Sequence, residues 1–203
     1  MKYEMISNLP INLQFVDQMH LQFRNITKKE AEKYFEWFLE QIPIRIKVLQ
    51  EAVNSTPGYE DWKADYSPES LVTLGKWFKQ VVTTRKRSEE EIEEIYKRSP
   101  EWFRTVKISE NDLSPETYSL CFDVGMYLAK VFETNLKGLG WKLITAPKKS
   151  VDIHQPVLAG FGALQFNPVM MMSVQAFKVI NGKYSDYSLK ELYEIWAKYA
   201  KTE

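Results

Sequence analysis

The longest apolar stretch of the chain covers residues 118–132 and predicts a helix. Its polar positions are four, seven and three residues apart, a spacing that places them on one narrow stripe. These positions are Ser119, Asp123, Lys130 and Glu133. A helix that is apolar on every other side belongs inside a domain, covered by other elements. The pattern therefore predicts a central, buried helix.

Local signals fix the start of this helix and suggest how it packs. Ser114-Pro115-Glu116 offers a capping hydroxyl, a proline suited to the first turn and a negative charge for the positive end of the helix dipole. Cys121, Gly125 and Ala129 recur every four residues and leave a shallow groove. We expect another backbone to approach closely at Gly125, because glycine has no side chain to keep it away.

A second long helix is predicted near the N-terminal end. Thr27-Lys28-Lys29-Glu30 matches a capping box, in which the first and last residues each bond the other's backbone N–H. Apolar residues then recur every three or four positions through Pro43. We interpret this as one helix bent at Pro43, and the alternative is two helices broken before it.

Strand patterns flank the central helix. Residues 9–15 alternate between apolar and polar, and residues 19–23 continue in the same manner, which favours a half-buried strand or two, although a helical turn also fits. Residues 141–145 and 157–166 follow the central helix and have strand composition. Gly160 and Gly162 flank Phe161, so one face of the second strand is bare and needs another part of the chain to cover it.

These patterns predict an α+β fold, a predominantly helical single domain over residues 1–203 with a small antiparallel sheet packed on the central buried helix. The helical N-terminal part occupies about residues 27–110. The central helix and small sheet occupy about residues 114–166. C-terminal helices follow over about residues 168–200.

Composition narrows the classes of partner. Lys plus Arg equals Asp plus Glu at 27 each, so no net field favours a polyanion or an anionic membrane. Aromatic residues make up 14% of the chain and suit either an aromatic core or an interaction surface. The single cysteine, the lack of a signal-peptide pattern and the lack of a transmembrane run predict a cytoplasmic protein.

One charged stretch has two interpretations. Arg85-Lys86-Arg87 is predicted to close a helix at its negative end, and Ser88-Glu89-Glu90-Glu91 to open the next helix at its positive end. The alternative is a nucleic-acid patch that combines the triplet with Lys148 and Lys149. We expect no nucleic-acid partner, because acidic residues follow the triplet immediately.

Few residues suggest chemistry. Asp123, on the polar stripe, would be an acid or base if enclosed, but the stripe is expected to open to solvent or to a partner. Asp152 and His154 are a local pair for metal or proton chemistry, or an ordinary exposed pair in a loop. Cys121 lies on the apolar helix, which predicts an inert thiol. We therefore predict no catalytic residues, no metal and no cofactor.

Several segments carry a family resemblance. Residues 119–128 hold the motif Asp123-x-Gly125-x-Tyr127, and Trp141 leads the strand that follows. Residues 156–158, residues 166–168 and the helix that starts at Thr27 belong to the same pattern. The chain resembles a family of uncharacterised bacterial cytoplasmic proteins, some of which are grouped with the immunity proteins of toxin systems. The resemblance implies a similar fold and brings no catalytic residues with it.

Two functional hypotheses follow. The first is a non-enzymatic bacterial protein that binds another protein, as an immunity-like or accessory factor. The alternative, a small-ligand binder or enzyme, would use a pocket near Asp123, Trp141 and His154. Together with Asp152, these are the candidate binding residues. Oligomeric state does not follow from the sequence.

Overall fold

The computed structural model of the chain describes residues 3–13, 22–99 and 101–200. Helices dominate this part of the chain. They are α1 (Lys28–Asn54), α2 (Ser70–Val81), α3 (Glu89–Arg98), α4 (Pro115–Asn135), α5 (Pro168–Ile180) and α6 (Ser188–Ala197), with a short 3-10 turn at Glu101–Thr105.

Five short strands form two antiparallel sheets in the same residues. The first sheet pairs β1 (Thr84–Lys86) with β2 (Asn111–Leu113). The second has the order β3 (Gly140–Leu143), β4 (Pro156–Phe161) and β5 (Leu164–Phe166). The predicted α+β class, mostly helical with a small antiparallel sheet, is confirmed.

The central helix α4 is buried, as predicted. Every residue from Thr117 to Ala129 is inaccessible or nearly so, and α1 and α5 pack along its sides. Ser114 caps the helix by accepting a hydrogen bond from the backbone N–H of Thr117 at 3.2 Å, and Pro115 occupies the first turn.

Gly125 is the point of closest packing on α4. A Cβ atom there would lie 3.0 Å from the backbone carbonyl of Pro168 and 3.1 Å from the backbone nitrogen of Val169, at the start of α5. The expected close approach of a neighbouring backbone is therefore confirmed.

Two further expectations hold. Thr27 and Glu30 form both bonds of a capping box, and α1 runs without a break through Pro43. Gly160 is covered as its bare face requires, since a Cβ atom there would lie 2.5 Å from the carbonyl oxygen of Gly138.

Three details of the predicted elements are wrong. Residues 9–13 form no strand, because their alternating apolar side chains pack on a hydrophobic cluster of α1 and α4 without a partner strand; residues 14–21 lie outside the described part. The predicted strand over 157–166 is a hairpin, because Gly162 has positive φ and turns the chain between β4 and β5; Gly160, also with positive φ, lies within β4 where the pairing with β5 is irregular. The Arg85 triplet does not close a helix but enters β1.

None of the helices in the described residues combines the length and apolar character needed to cross a bilayer.

We predict that Gly125→Leu destabilises the fold. The added side chain meets backbone atoms of α5 that cannot rotate away, so the free energy of unfolding should fall by about 1–3 kcal/mol. The cost of overpacking should exceed the gain of about 1 kcal/mol in helix propensity that comes from replacing glycine with leucine. Urea denaturation measures the difference.

Gly140→Leu is the control for this prediction. A Cβ atom at Gly140 meets nothing within 4 Å, so the stability of this variant should change by no more than about 0.5 kcal/mol. Equal stability of the two variants would contradict close packing at Gly125.

Candidate functional site

The Asp123 carboxylate lies in the interior of the domain with 0% of its surface exposed. Arg45 of α1 holds it with two hydrogen bonds, from Nε to Oδ1 and from Nη2 to Oδ2, each 2.8 Å long. The hydroxyl of Tyr3 donates a third hydrogen bond to Oδ2. This two-pronged contact is the strongest geometry available to an arginine and a carboxylate.

The N-terminal segment, residues 3–6, covers this site. Arg45 also donates to the backbone carbonyl of Glu4 at 2.8 Å and reaches the carboxylate of Glu4 at 3.2 Å. The backbone N–H of Ile6 donates to the hydroxyl of Ser119 at 3.1 Å. Because Ser119 and Asp123 are one helical turn apart, the segment lies along the polar stripe of α4.

The expectation that the stripe opens to solvent or to a partner is therefore wrong at Ser119 and Asp123. Both are fully buried, because residues 3–6 and Arg45 supply the polar partners that water would otherwise supply. Lys130 and Glu133, further along the stripe, are partly exposed and pair with each other at 3.8 Å.

Burial controls the electrostatics of this cluster. It raises the pKa of Asp123 to about 6, although the hydrogen bonds and charge of Arg45 and the hydroxyl of Tyr3 act in the opposite direction. Burial opposes the charge of Arg45 too, but the hydrogen bonds and charge of Asp123 raise the pKa of Arg45 above its ordinary value. Burial and the nearby carboxylate raise the pKa of Tyr3, which keeps its hydroxyl as a donor.

This arrangement suits an anchor better than an acid or base. Both carboxylate oxygens accept hydrogen bonds, and no surface of Asp123 is open to a substrate. A group that transfers protons must come within hydrogen-bond reach of the substrate. Asp123 instead joins α4, α1 and the N-terminal segment.

Trp141 sits apart from this ionic contact, in the sheet. It lies on β3 and packs edge to face on Phe38 of α1, with ring centroids 5.0 Å apart. Its Nε1 is buried and has no hydrogen-bond partner among the described residues. The ring is half-buried, so it contributes mainly to the packing between α1 and the sheet.

Asp152 and His154 lie in a turn before β4 and face different partners. Asp152 accepts a hydrogen bond from the side chain of Asn167 at 2.8 Å. Nδ1 of His154 lies 2.9 Å from the backbone carbonyl of Phe23, and since a carbonyl only accepts, Nδ1 must carry the proton. The two side chains are thus engaged separately, and both are half-buried rather than exposed.

The structure gives no chemical cluster around these candidates. Among the described residues, no group of three or more His, Cys, Asp or Glu is placed to hold a metal ion. Cys121 is fully buried, and burial raises the pKa of its thiol well above the ordinary value, as expected of an inert core cysteine.

Three surface pockets have volumes of about 260 to 480 Å³, and none of these three is lined by Asp123, Trp141 or His154. One of them, about 360 Å³ in volume, lies beside the start of α4 between Tyr3, Thr83 and Ser114. Tyr3 therefore connects the edge of this pocket to the Asp123 anchor.

A second ionic cluster was missed from the sequence. Asp112 of β2 is almost fully buried and pairs with Arg85 and Arg87, each at 3.1 Å. Arg85 also pairs with Glu91 at 2.7 Å, and the hydroxyl of Tyr118 donates to Asp112 at 2.8 Å. This cluster uses Arg85 and Arg87, two of the three basic residues that a nucleic-acid patch would need, whereas Lys86 is exposed.

Asp112 and its partners fix the two ends of residues 88–110, a segment that we call the arm. We call the rest of the described chain the body. The arm begins after β1 and ends before β2, and these two strands pair so that Lys86 lies opposite Asn111. The backbone N–H of Arg87 donates to the carbonyl of Glu110 at 2.8 Å and closes the base. The arm contains α3 and the 3-10 turn.

One missed residue had a signal in the sequence. Arg45 stands three residues after Ile42 and four before Leu49, on the inward face of α1. A charged residue on an apolar face requires a buried partner of opposite charge. Tyr3 and Asp112 gave no such signal, because their partners are fixed only by the fold.

Comparisons of the chain with protein-family models, with curated proteins and with solved structures find no significant match.

We predict that pH isolates the contribution of Asp123 to stability. Its pKa is about 6 in the folded chain and 3.8 as the reference, so the folded state binds the proton more tightly between these values. The contribution therefore favours folding below pH 3.8 and is lost as the pH rises through 6. The free energy of unfolding of the wild type, minus that of Asp123→Asn, should fall by about 2 kcal/mol from about pH 4 to about pH 7.

Urea denaturation of both proteins across this range gives the difference, and the other titrating groups cancel because both proteins share them. A difference that grows with rising pH would mean that Arg45 and Tyr3 outweigh burial, and would contradict this assignment.

Proposed function

We propose that the protein is a non-enzymatic, cytoplasmic factor of a bacterial cell that binds another protein through the arm, as an immunity-like or accessory protein. The observation that carries this proposal is the exposure of Trp102, which has 70% of its surface open at the turn of the arm. Tryptophan is the residue most enriched among those that dominate binding energy in protein interfaces.

The arm is built as a surface and adds little to the core. None of the described side chains of α3 or of the 3-10 turn is buried, and neither element packs extensively against another helix or strand. Ile92, Ile95 and Phe103 are only half-buried. Apolar residues left uncovered in this way are typical of a surface that another protein covers.

The arm nevertheless has a defined shape. The hydroxyl of Tyr96, on α3, donates to the carbonyl of Val106 at 3.0 Å and joins the outgoing and returning halves. The Asp112 cluster holds the base. Trp102 is thus presented from a framework with fixed ends, which lowers the entropy lost on binding.

The candidate catalytic groups support the non-enzymatic part of the proposal. Asp123 anchors Arg45 and Tyr3, and His154 bonds a backbone carbonyl. Cys121 is enclosed in the core. Each reactive side chain thus has a structural role that its contacts describe.

We predict that Trp102→Ala weakens partner binding by about 30-fold, equivalent to about 2 kcal/mol, because it removes the exposed anchor. The wild type, used as bait in cells of its native host, should retain a stoichiometric protein partner. Trp102→Ala should lose that partner without a change in melting temperature, since the side chain packs little on the body.

Tyr187→Ala is the matched control, since Tyr187 is also aromatic and 55% exposed but lies at the start of α6. It should retain the partner. The proposal fails if the wild type retains no stoichiometric protein, or if Trp102→Ala retains as much as Tyr187→Ala.

A further inference from the structure

Exposed apolar side chains occur where the hairpin of β4 and β5 meets the end of α6. Leu164 of the hairpin has 44% of its surface open, and Ile195 and Tyr199, at and just after the end of α6, have 52% each. Single apolar residues are common on protein surfaces, whereas a contiguous group of them marks an interaction site. We call these three residues the hairpin–helix patch.

The contacts between the hairpin and α6 bring these residues together. Leu164 lies directly opposite Phe161 in the pairing of β4 with β5, so the two side chains point to the same face of the sheet. On that face the ring of Phe161 packs edge to face on the ring of Trp196, in α6, with centroids 5.3 Å apart. A Cβ atom at Gly162 would lie 4.0 Å from the backbone oxygen of Tyr199. The hairpin–helix patch is therefore contiguous.

Two opposite charges flank the patch on α6. Ile195 and Tyr199 are four residues apart, and Lys198 between them has helical φ and ψ, so they share one side of the helix. Glu194 and Lys198 form the neighbouring row, one position earlier, and both are exposed. Neither of them forms an ion pair within the part of the chain that the structure describes. Their charges are therefore available to a partner.

We propose that the hairpin–helix patch is the interface of a symmetric dimer, in which a second copy of the chain covers it. A two-fold axis perpendicular to α6 makes the two helix ends antiparallel, so Glu194 of each copy faces Lys198 of the other. The patch thus complements itself, with an apolar centre between two contacts of opposite charge. A partner of one charge sign would attract one of these residues and repel the other. The interface is separate from the arm and goes beyond the proposed function.

Sedimentation equilibrium of the full chain tests for the dimer. An interface of this small size is weak, so the dissociation constant should be on the order of 10 µM. Leu164→Lys puts a charge into the apolar centre and should raise the dissociation constant by about tenfold or more. Val174→Lys is the matched control, because Val174 is also 44% exposed but lies on α5. This variant should dimerise as the wild type does.

Two charge variants test the symmetry. Glu194→Lys leaves only lysine in the flanking row and Lys198→Glu leaves only glutamate, so each variant repels its own copy. At low salt each should dimerise about tenfold more weakly than the wild type, with unchanged helical circular dichroism. An equimolar mixture of the two variants should restore the dimer, because every charge contact across the axis then joins opposite signs. Added salt should reduce these differences.

Each of several results would overturn the dimer. One is a wild type that is still monomeric at about 500 µM, well above the expected dissociation constant. Another is equal dimerisation of Leu164→Lys and Val174→Lys. A mixture of the charge variants that dimerises no better than either variant alone excludes the two-fold arrangement. Trp102→Ala should leave the dimer intact, and a dimer that this variant abolishes would place the interface on the arm instead.

Discussion

A charged carboxylate in a dry interior is the constraint on which the body of this protein depends. Asp123 has no contact with solvent, and an isolated charge in such a place is strongly unfavourable. The fold therefore has to bring a cation and further donors to it, and it does so with Arg45 and Tyr3. As a consequence, the central helix, the long first helix and the N-terminal segment are held at one point. A buried pair of this kind adds little net stability, but the loss of either partner is costly. Its main effect is therefore to determine how the elements are arranged relative to one another.

The same principle operates at the base of the arm with a different result. Asp112 is buried between Arg85 and Arg87, and these contacts hold two strands that are only three residues long each. Strands this short are marginal by themselves. The ion pairs thus fix the two ends of the arm, which has almost no core of its own. The reactive side chains of the body are thus engaged in internal contacts, whereas the arm leaves apolar and acidic side chains exposed.

The sequence was most informative where a single stretch determines its own structure. The cap at Ser114, the capping box at Thr27 and the contact at Gly125 depend on local residue types, and each was predicted. The Asp123 site depends on partners 78 and 120 positions away, which no local pattern specifies. The apolar alternation of residues 9–13 indicated burial correctly but not a strand, since alternation does not reveal whether a partner strand is present. The basic triplet was misassigned for a similar reason, because only the pairing of β1 with β2 brings Asp112 to it.

A double-mutant cycle on Arg45 and Asp123 tests the anchor most directly. Arg45→Ala leaves the buried Asp123 without its cation, and Asp123→Ala leaves Arg45 with Glu4 as its remaining carboxylate partner, so each should lower the free energy of unfolding by about 3–5 kcal/mol. The double variant leaves neither charge and should be more stable than the sum of the two losses implies, with a coupling energy of about 2 kcal/mol or more. Losses that simply add would show that the two side chains act independently, and would contradict the claim that this buried contact holds the fold together.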